Sequence, residues 1–210
     1  MNKQFLNYTI LMLSLIILGC SDKIIKLSEE NLYVINRNIS AIDLNANSVS
    51  LNDQLGDGLA IIEDVKFNGG TIEIELKGEN IPGKSFVGVA FNIQNDSTYE
   101  AIYFRPFNFQ SDEKIRREHS LQYIYHPKHS WRYLRTNHEG QYEAEFPNPP
   151  SPDDWFKIQV KVDDQSVHVY DTRSDIELLS VQRLTTQVSD RIALWTGFNS
   201  KGEFKNLKIK

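Results

Sequence analysis

The chain has 210 residues, 40% of them hydrophobic and 11% aromatic, with a formal charge of −5 at pH 7. This is one domain's worth of globular sequence with enough apolar side chain to bury a core. Its acidic balance excludes a surface that tracks nucleic-acid phosphates, which needs many Lys and Arg gathered on one face, and a single cysteine excludes an internal disulfide.

The first residues carry the marks of an export signal. Lys3 gives a small positive start, Phe5 to Leu18 give an apolar run interrupted by Asn7, Tyr8, Thr9 and Ser14, and small Gly19 precedes Cys20. The run falls short of the roughly 20 apolar residues that a helical span needs. Ile17-Leu18-Gly19-Cys20 resembles the lipobox of bacterial lipoproteins. The resemblance implies a signal peptide over 1–19, lipidation of Cys20, and a water-soluble domain tethered at the bacterial cell envelope, at the outer membrane and facing the periplasm or the surface. Cys20 is then an anchor, which leaves no thiolate for catalysis or for a zinc site. Residues 20–30 are expected to form the lipidated start and a polar tether, and 31–210 a single folded domain.

Between Leu27 and Leu51, short strand candidates (Leu32 to Ile35, Ala41 to Leu44, Val49 to Leu51) are separated by Asn and Ser and read as edge strands. Leu55 to Ile62 passes through a Gly-rich turn into an apolar run. No Lys-Ser/Thr pair closes that turn and no helix follows, so it is not a nucleotide loop. From Phe67 the strands are plain. Ile72, Ile74 and Leu76 alternate with Thr71, Glu73, Glu75 and Lys77, the pattern of a strand exposed on one face. Ser85 to Ile93 is apolar almost throughout, as in a strand covered on both faces, and Asn95-Asp96-Ser97 turns it into Tyr99 to Arg105 as a hairpin. Further strands are expected at Ser120 to Tyr125, Trp155 to Val162, Ser166 to Tyr170, Leu178 to Val181, Arg191 to Trp195 and Glu203 to Ile209. Thr136 to Asp154, with four prolines, is expected to be a loop crossing one end of the sheets. About a dozen short strands without alternating helices indicate an all-β antiparallel sandwich.

The ordered segments Phe-x-Gly-Gly-Thr-Ile-Glu-Ile-Glu-Leu-Lys-Gly, Phe-Val-Gly-Val-Ala-Phe, Tyr-Glu-Ala-Ile-Tyr-Phe-Arg-Pro-Phe, Asp-Trp-Phe-Lys-Ile-Gln-Val and Ile-Ala-Leu-Trp, closed by Phe-Lys-Asn-Leu-Lys-Ile, span Leu55 to Lys210. This order resembles the concanavalin A-like lectin/glucanase superfamily, and within it is similar to domains of the 3-keto-disaccharide hydrolase type and to laminin-G-like modules of bacterial glycan-degrading systems. The resemblance implies a jelly-roll sandwich with one concave sheet facing ligand. It leaves room for a structural calcium ion at loop carboxylates such as Asp57, Asp96 and Asp190, and implies no other cofactor.

Chemistry-bearing residues gather between Tyr99 and Trp131. Alternation sets Tyr103 and Arg105 on the face opposite Ile102 and Phe104, which want the core, and sets Gln122 and His126 opposite Tyr123. Aromatic rings that cover apolar sugar faces, with planar groups that fork onto hydroxyls, are what glycan recognition uses. Tyr103, Arg105, Asn108, Arg116, His119, Gln122, Tyr123, His126, Trp131 and Trp195 are therefore the candidate ligand-binding residues, with Arg135 extending the rim. Trp155 is expected in the core. Glu73 and Glu75 share a strand face, but the series continues Leu76-Lys77-Gly78, and a solvated charged face is expected rather than a hydrolytic pair. His119, His126, His129 and His138 lack the spacing of a zinc site, so no metal site is expected.

The first reading is an envelope-anchored protein that binds oligo- or polysaccharide in a polysaccharide-utilisation system, beside other envelope glycan-processing proteins. Two others stay open: a glycoside hydrolase or keto-sugar hydrolase-like enzyme using a carboxylate or histidine near Tyr103 to His126, for which Glu100, Glu118 and Asp112 are the local carboxylates, and a protein-interaction module.

Overall fold

The computed structural model describes residues 22–210; the expected signal peptide and Cys20 lie outside the described residues. Fifteen strands run along this length. In order they are β1 (Lys23–Ile24), β2 (Leu32–Ile35), β3 (Ile39–Asp43), β4 (Ser48–Leu51), β5 (Gly58–Ile62), β6 (Gly70–Lys77), β7 (Val87–Asn95) and β8 (Thr98–Phe104). After these come β9 (Leu121–His126), β10 (Glu143–Ala144), β11 (Phe156–Val162), β12 (Ser166–Asp171), β13 (Ile176–Gln182), β14 (Ile192–Thr196) and β15 (Gly202–Ile209). Short helices flank β9: α1 (Lys114–Arg117) before it and α2 (Trp131–Asn137) after it.

All strand pairings are antiparallel and make two sheets. One runs β13-β12-β11-β6-β15-β4-β3 with β1 added on β15; the other runs β10-β9-β8-β7-β14-β5-β2. The fold is the expected antiparallel β-sandwich of jelly-roll type.

Period-two alternation decides which side chains enter the space between the sheets. From β6 these are Ile72, Ile74 and Leu76, which join Ile158 and Val160 of β11 and Phe104 of β8 in the main core. Glu73 and Glu75 point the other way. Lys157, Lys208 and Lys210 surround Glu73 at 2.6, 3.5 and 3.6 Å, and Lys205 meets Glu75 at 3.2 Å, so this pair belongs to a lysine-neutralised outer surface.

The second sheet is covered on both faces, as the apolar run of β7 requires. Ile102 and Phe104 of β8, Leu194 of β14 and Ala60 of β5 face the main core. Their alternates Tyr103, Trp195 and Leu59 build a second apolar cluster on the outer face, sealed by Leu134 of α2.

Four expectations are corrected by these positions. The folded part starts before residue 31: β1 pairs with β15, and Ile25 and Leu27 enter the core, so their apolar content outweighs the polar start that reads as a tether. Trp155 is not a core residue. It precedes β11 and lies half-buried on the outer surface, with Lys205 Nζ 4.3 Å and Lys77 Nζ 5.9 Å from the ring centre. Tyr123 faces the space between the sheets beside Leu121 and is fully buried, so it takes no part in an outer-face site. The stretch Thr136 to Asp154 holds a two-residue strand, β10, which pairs with β9 before Pro147 is reached; the prolines limit it to a sheet edge.

Candidate functional site

The site is built on the outer face of the second sheet. Gly88 of β7 lies between Trp195 of β14 and Tyr103 of β8 in the pairing register. A Cβ there would stand 2.0 Å from the Ile102 carbonyl oxygen and 2.6 Å from Tyr103 Cα, so only glycine fits. With no side chain between them, the Tyr103 and Trp195 rings meet across β7 at 4.7 Å between centres. This pair is the floor. Burial pushes the Tyr103 phenol up to about 12, against the pull of the Arg105 charge.

Arg105 follows β8 and is fixed by three hydrogen bonds: Nη1 donates to the His119 carbonyl at 2.7 Å, and Nη2 donates to the Tyr103 hydroxyl at 2.8 Å and to Gln122 Oε1 at 3.1 Å. Asn108 Nδ2 donates to the same His119 carbonyl at 3.2 Å. Gln122 is fully buried, so its part is to hold Arg105 rather than to meet a ligand.

Helix α2 is placed over this floor by its N-cap, where Ser130 Oγ accepts from the Tyr133 backbone N–H at 3.4 Å, and by Leu134, which enters the outer cluster. Trp131 and Arg135 are one turn apart and share a face. The guanidinium of Arg135 lies 5.2 Å from the Trp131 ring and that of Arg132 5.3 Å from it. Arg135 forks onto Glu143 of β10, Nε to Oε1 at 3.0 Å and Nη2 to Oε2 at 2.7 Å. His119 Nε2 approaches the same carboxylate at 3.3 Å, and Arg105 Nη1 lies 4.0 Å from it. Burial and the nearby Arg135 and Arg105 hold the His119 imidazole below its ordinary value, although Glu143 pulls it up.

Two adjoining clefts result. The larger, about 670 Å³, is lined by Phe86, Arg105, Asn108, His119, Trp131 and Phe198 together with Arg116, Arg132 and Arg135. The smaller, about 230 Å³, has Tyr103 and Trp195 as floor and Asp57 and His126 at its end, and shares Phe86, Trp131 and Phe198 with the first. These three rings stand at the junction, with Trp131 41% and Phe198 51% exposed. At the far end Tyr99 donates its hydroxyl to Asp57 Oδ2 at 2.9 Å and accepts from Trp195 Nε1 at 3.2 Å, while His126 stacks on Tyr99 and its Nδ1 lies 2.8 Å from the Ser97 carbonyl. Burial lifts the Asp57 carboxyl above the usual carboxylate range, against the Tyr99 hydrogen bond and the charges of His126 and Arg37. Arg37, itself buried, donates to the Gly56 carbonyl at 2.8 Å and to Thr196 Oγ1 at 2.8 Å, and so fastens the turn that carries Asp57.

Of the expected site residues, Arg105, Asn108, Arg116, His119 and Trp131 come together in the larger cleft, and Tyr103, His126 and Trp195 in the smaller. Gln122 stands behind Arg105, and Tyr123 is on the opposite face of β9. Sequence reasoning missed Phe86, Arg132, Phe198 and Glu143. Glu143 was hidden in the proline-rich stretch, where only the alternating Tyr142-Glu143-Ala144-Glu145 gives a strand signal. Asp57 enters the groove wall and accepts from Tyr99, Asp190 pairs with Lys66 at 3.6 Å, and among the described residues no group of three or more His, Cys, Asp or Glu side chains is arranged to hold a metal ion.

No protein-family profile matches the chain, and no curated protein matches it by sequence. Solved structures do match by shape. A carbohydrate-binding module, CBM66, from Bacillus subtilis superposes with a TM-score of 0.60 at 10% identity over 86% of this chain and 96% of that one. A putative glycosyl hydrolase from Parabacteroides distasonis gives 0.51 at 13% identity over 90% and 99% of the two chains. The exoplasmic/lumenal domain of VIP36, in its Ca2+/Man3GlcNAc-bound form, gives 0.52 at 10% identity over 86% and 85%. These likenesses establish the fold. At such identities they carry no residue from those proteins onto this one.

Proposed function

We propose that this protein binds a glycan in the groove on the outer face of its second sheet. The observation that carries the reading is the junction of the two clefts, where Trp131, Phe86 and Phe198 offer exposed ring surface between walls of guanidinium, amide and imidazole groups. Sugars present apolar faces ringed by hydroxyls, and this combination of stacking surface and fixed planar donors matches them. The carbohydrate-binding module and the oligosaccharide-bound domain among its structural neighbours support the same reading. Rigid anchors hold the polar groups in place before a ligand arrives, which lowers the ordering cost of binding.

Hydrolysis on this groove is the second reading. Burial gives Asp57 the raised carboxyl that a general acid needs. Glycoside hydrolysis ordinarily takes a second carboxylate, yet Asp57 is the sole carboxylate lining either cleft among the described residues. Glu143 is held behind Arg135 with both oxygens engaged. Binding is therefore the function that the geometry supports best. The Ile17 to Cys20 motif supports placing the protein at the bacterial envelope on a lipid anchor, and a glycan-binding groove on such an anchor suits a role in a polysaccharide-utilisation system.

Calorimetric titration of the purified full chain in detergent against a panel of plant, algal and host oligosaccharides tests the reading, with chromatography of each mixture after overnight incubation. At least one intact sugar is expected to bind, and Trp131→Ala to weaken it about tenfold or more, the worth of one stacked ring, with an unchanged thermal midpoint. Cleavage products would establish the hydrolase. Silence across the panel would refute glycan binding.

A further inference from the structure

The larger cleft carries a charge opposite to that of the chain. The protein stands at −5 overall, yet Arg105, Arg116, Arg132 and Arg135 all line this one cavity, and no carboxylate lines it among the described residues. Among the described residues only two carboxylates lie within 4.0 Å of the four guanidiniums: Glu143, which meets Arg135 and Arg105, and Glu113, which meets Arg116. Two positive charges are left over. Arg132 and Arg135 crowd the same Trp131 ring at 5.3 and 5.2 Å, and Arg105 is fixed in the wall by three acceptors that are all uncharged.

Clustered guanidiniums in a half-enclosed cavity repel one another, and an anion arriving among them relieves that repulsion while a neutral hydroxyl does not. Arginine's planar fork also fits carboxylate and sulfate oxygens in pairs. The opposite end of the groove has the reverse character: Asp57 is an acceptor there, suited to hydroxyl groups and repelling a second acid.

We infer that the groove selects acidic glycans, oligosaccharides bearing carboxylate or sulfate groups, with the anion set among Arg105, Arg116, Arg132 and Arg135 and the adjoining ring laid against Trp131 and Phe198. The inference rests on the glycan reading above and adds both a ligand class and a direction: charged residue at the arginine end, neutral residue at the Asp57 end.

The test uses matched pairs in which only the charge differs. The purified full chain in detergent is titrated with oligogalacturonate and its methyl ester, with a sulfated oligosaccharide and its desulfated counterpart, and with inorganic sulfate alone. One acidic member is expected to bind about tenfold or more tightly than its neutralised partner at low salt, with the gap narrowing as salt rises. Arg132→Gln, a change at an exposed residue, is expected to narrow the gap at an unchanged thermal midpoint. Which pair shows the gap tells carboxylate from sulfate. Neutral members or neutral sugars of the wider panel binding as well as the acidic ones would overturn the acidic selectivity and leave glycan binding standing. Inorganic sulfate binding as tightly as the sulfated sugar would reduce the cleft to a simple anion site. No binding by any sugar, acidic or neutral, would overturn the glycan reading itself.

Discussion

Replacing Arg183 with Met tests whether Glu100, a carboxylate that lies close to the groove in sequence, is part of the scaffold. Glu100 is fully enclosed on the inner face of β8. Arg183 donates to it twice, Nη2 to Oε2 at 2.6 Å and Nε to Oε1 at 3.1 Å; Asn92 Nδ2 donates to Oε2 at 2.6 Å, and the Tyr123 hydroxyl donates to Oε1. Arg183 is the one cation within ion-pair distance of Glu100 among the described residues. Met preserves the aliphatic stem but leaves the carboxylate with two neutral donors. Removing one partner of a buried pair costs about 3–5 kcal/mol. Because Asn92 and Tyr123 remain, the lower end applies, about 3 kcal/mol, which for a domain of this size lowers the thermal midpoint by about 6–12 °C. Circular dichroism during urea and thermal unfolding measures both. Adding Glu100→Gln to the same chain is expected to recover more than half of the loss, since no charge is then stranded. A loss below about 1 kcal/mol in the single variant, or a double variant less stable than the single, would refute the reasoning.

Three other predictions follow from the same structure. Glu143→Gln removes the charge that Arg135 and Arg105 share, so stability is expected to fall by about 1–3 kcal/mol while acidic oligosaccharides bind more tightly; urea unfolding and calorimetry read the two opposite signs, and weaker acidic binding would contradict them. Asp163 caps its turn by accepting from Ser166 Oγ and from the Gln165 and Ser166 backbone N–H groups, which hold its carboxyl down at about 2. Its folded value is thus depressed, so its contribution to stability is present above the ordinary 3.8 and is lost as pH falls from there through about 2; an NMR titration of Asp163 gives the midpoint, and Ser166→Ala is expected to raise it. Cys20→Ala is expected to abolish incorporation of labelled fatty acid and to release the protein from the membrane fraction, and unchanged labelling would remove the anchor.

How far the sequence could be read follows from how local each signal is. The faces of β6 and β8 are legible because alternation is carried by neighbouring residues: Ile102 and Phe104 have to go in, and that places Tyr103 and Arg105 outward before any contact is known. Trp155 was misjudged because its flat ring served two lysines from other strands, Lys77 of β6 and Lys205 of β15, a pairing that no local pattern announces. Tyr123 was grouped with the site by sequence proximity although its own alternation set it with Leu121. The site's polar hub was the least visible part. Glu143 meets His119 from the end of α1 and Arg135 from α2, and these three come together only once β10 has paired with β9. Phe198 and Phe86 lie just outside the ends of β14 and β7, where periodicity stops carrying information.

The sealing of the second sheet by Leu134 has a consequence for how this protein could change over generations. The sandwich is finished beneath the groove, and the side chains that would discriminate between ligands, Trp131, Arg132 and Arg135, ride on a seven-residue helix laid over that finished surface. Arg132 is exposed on that helix and makes no ion pair among the described residues, so exchanging it is expected to touch recognition more than stability. Arg132 is therefore a position where ligand preference can drift without endangering the fold, whereas Gly88, which lets the floor close, is one where almost any substitution threatens both at once.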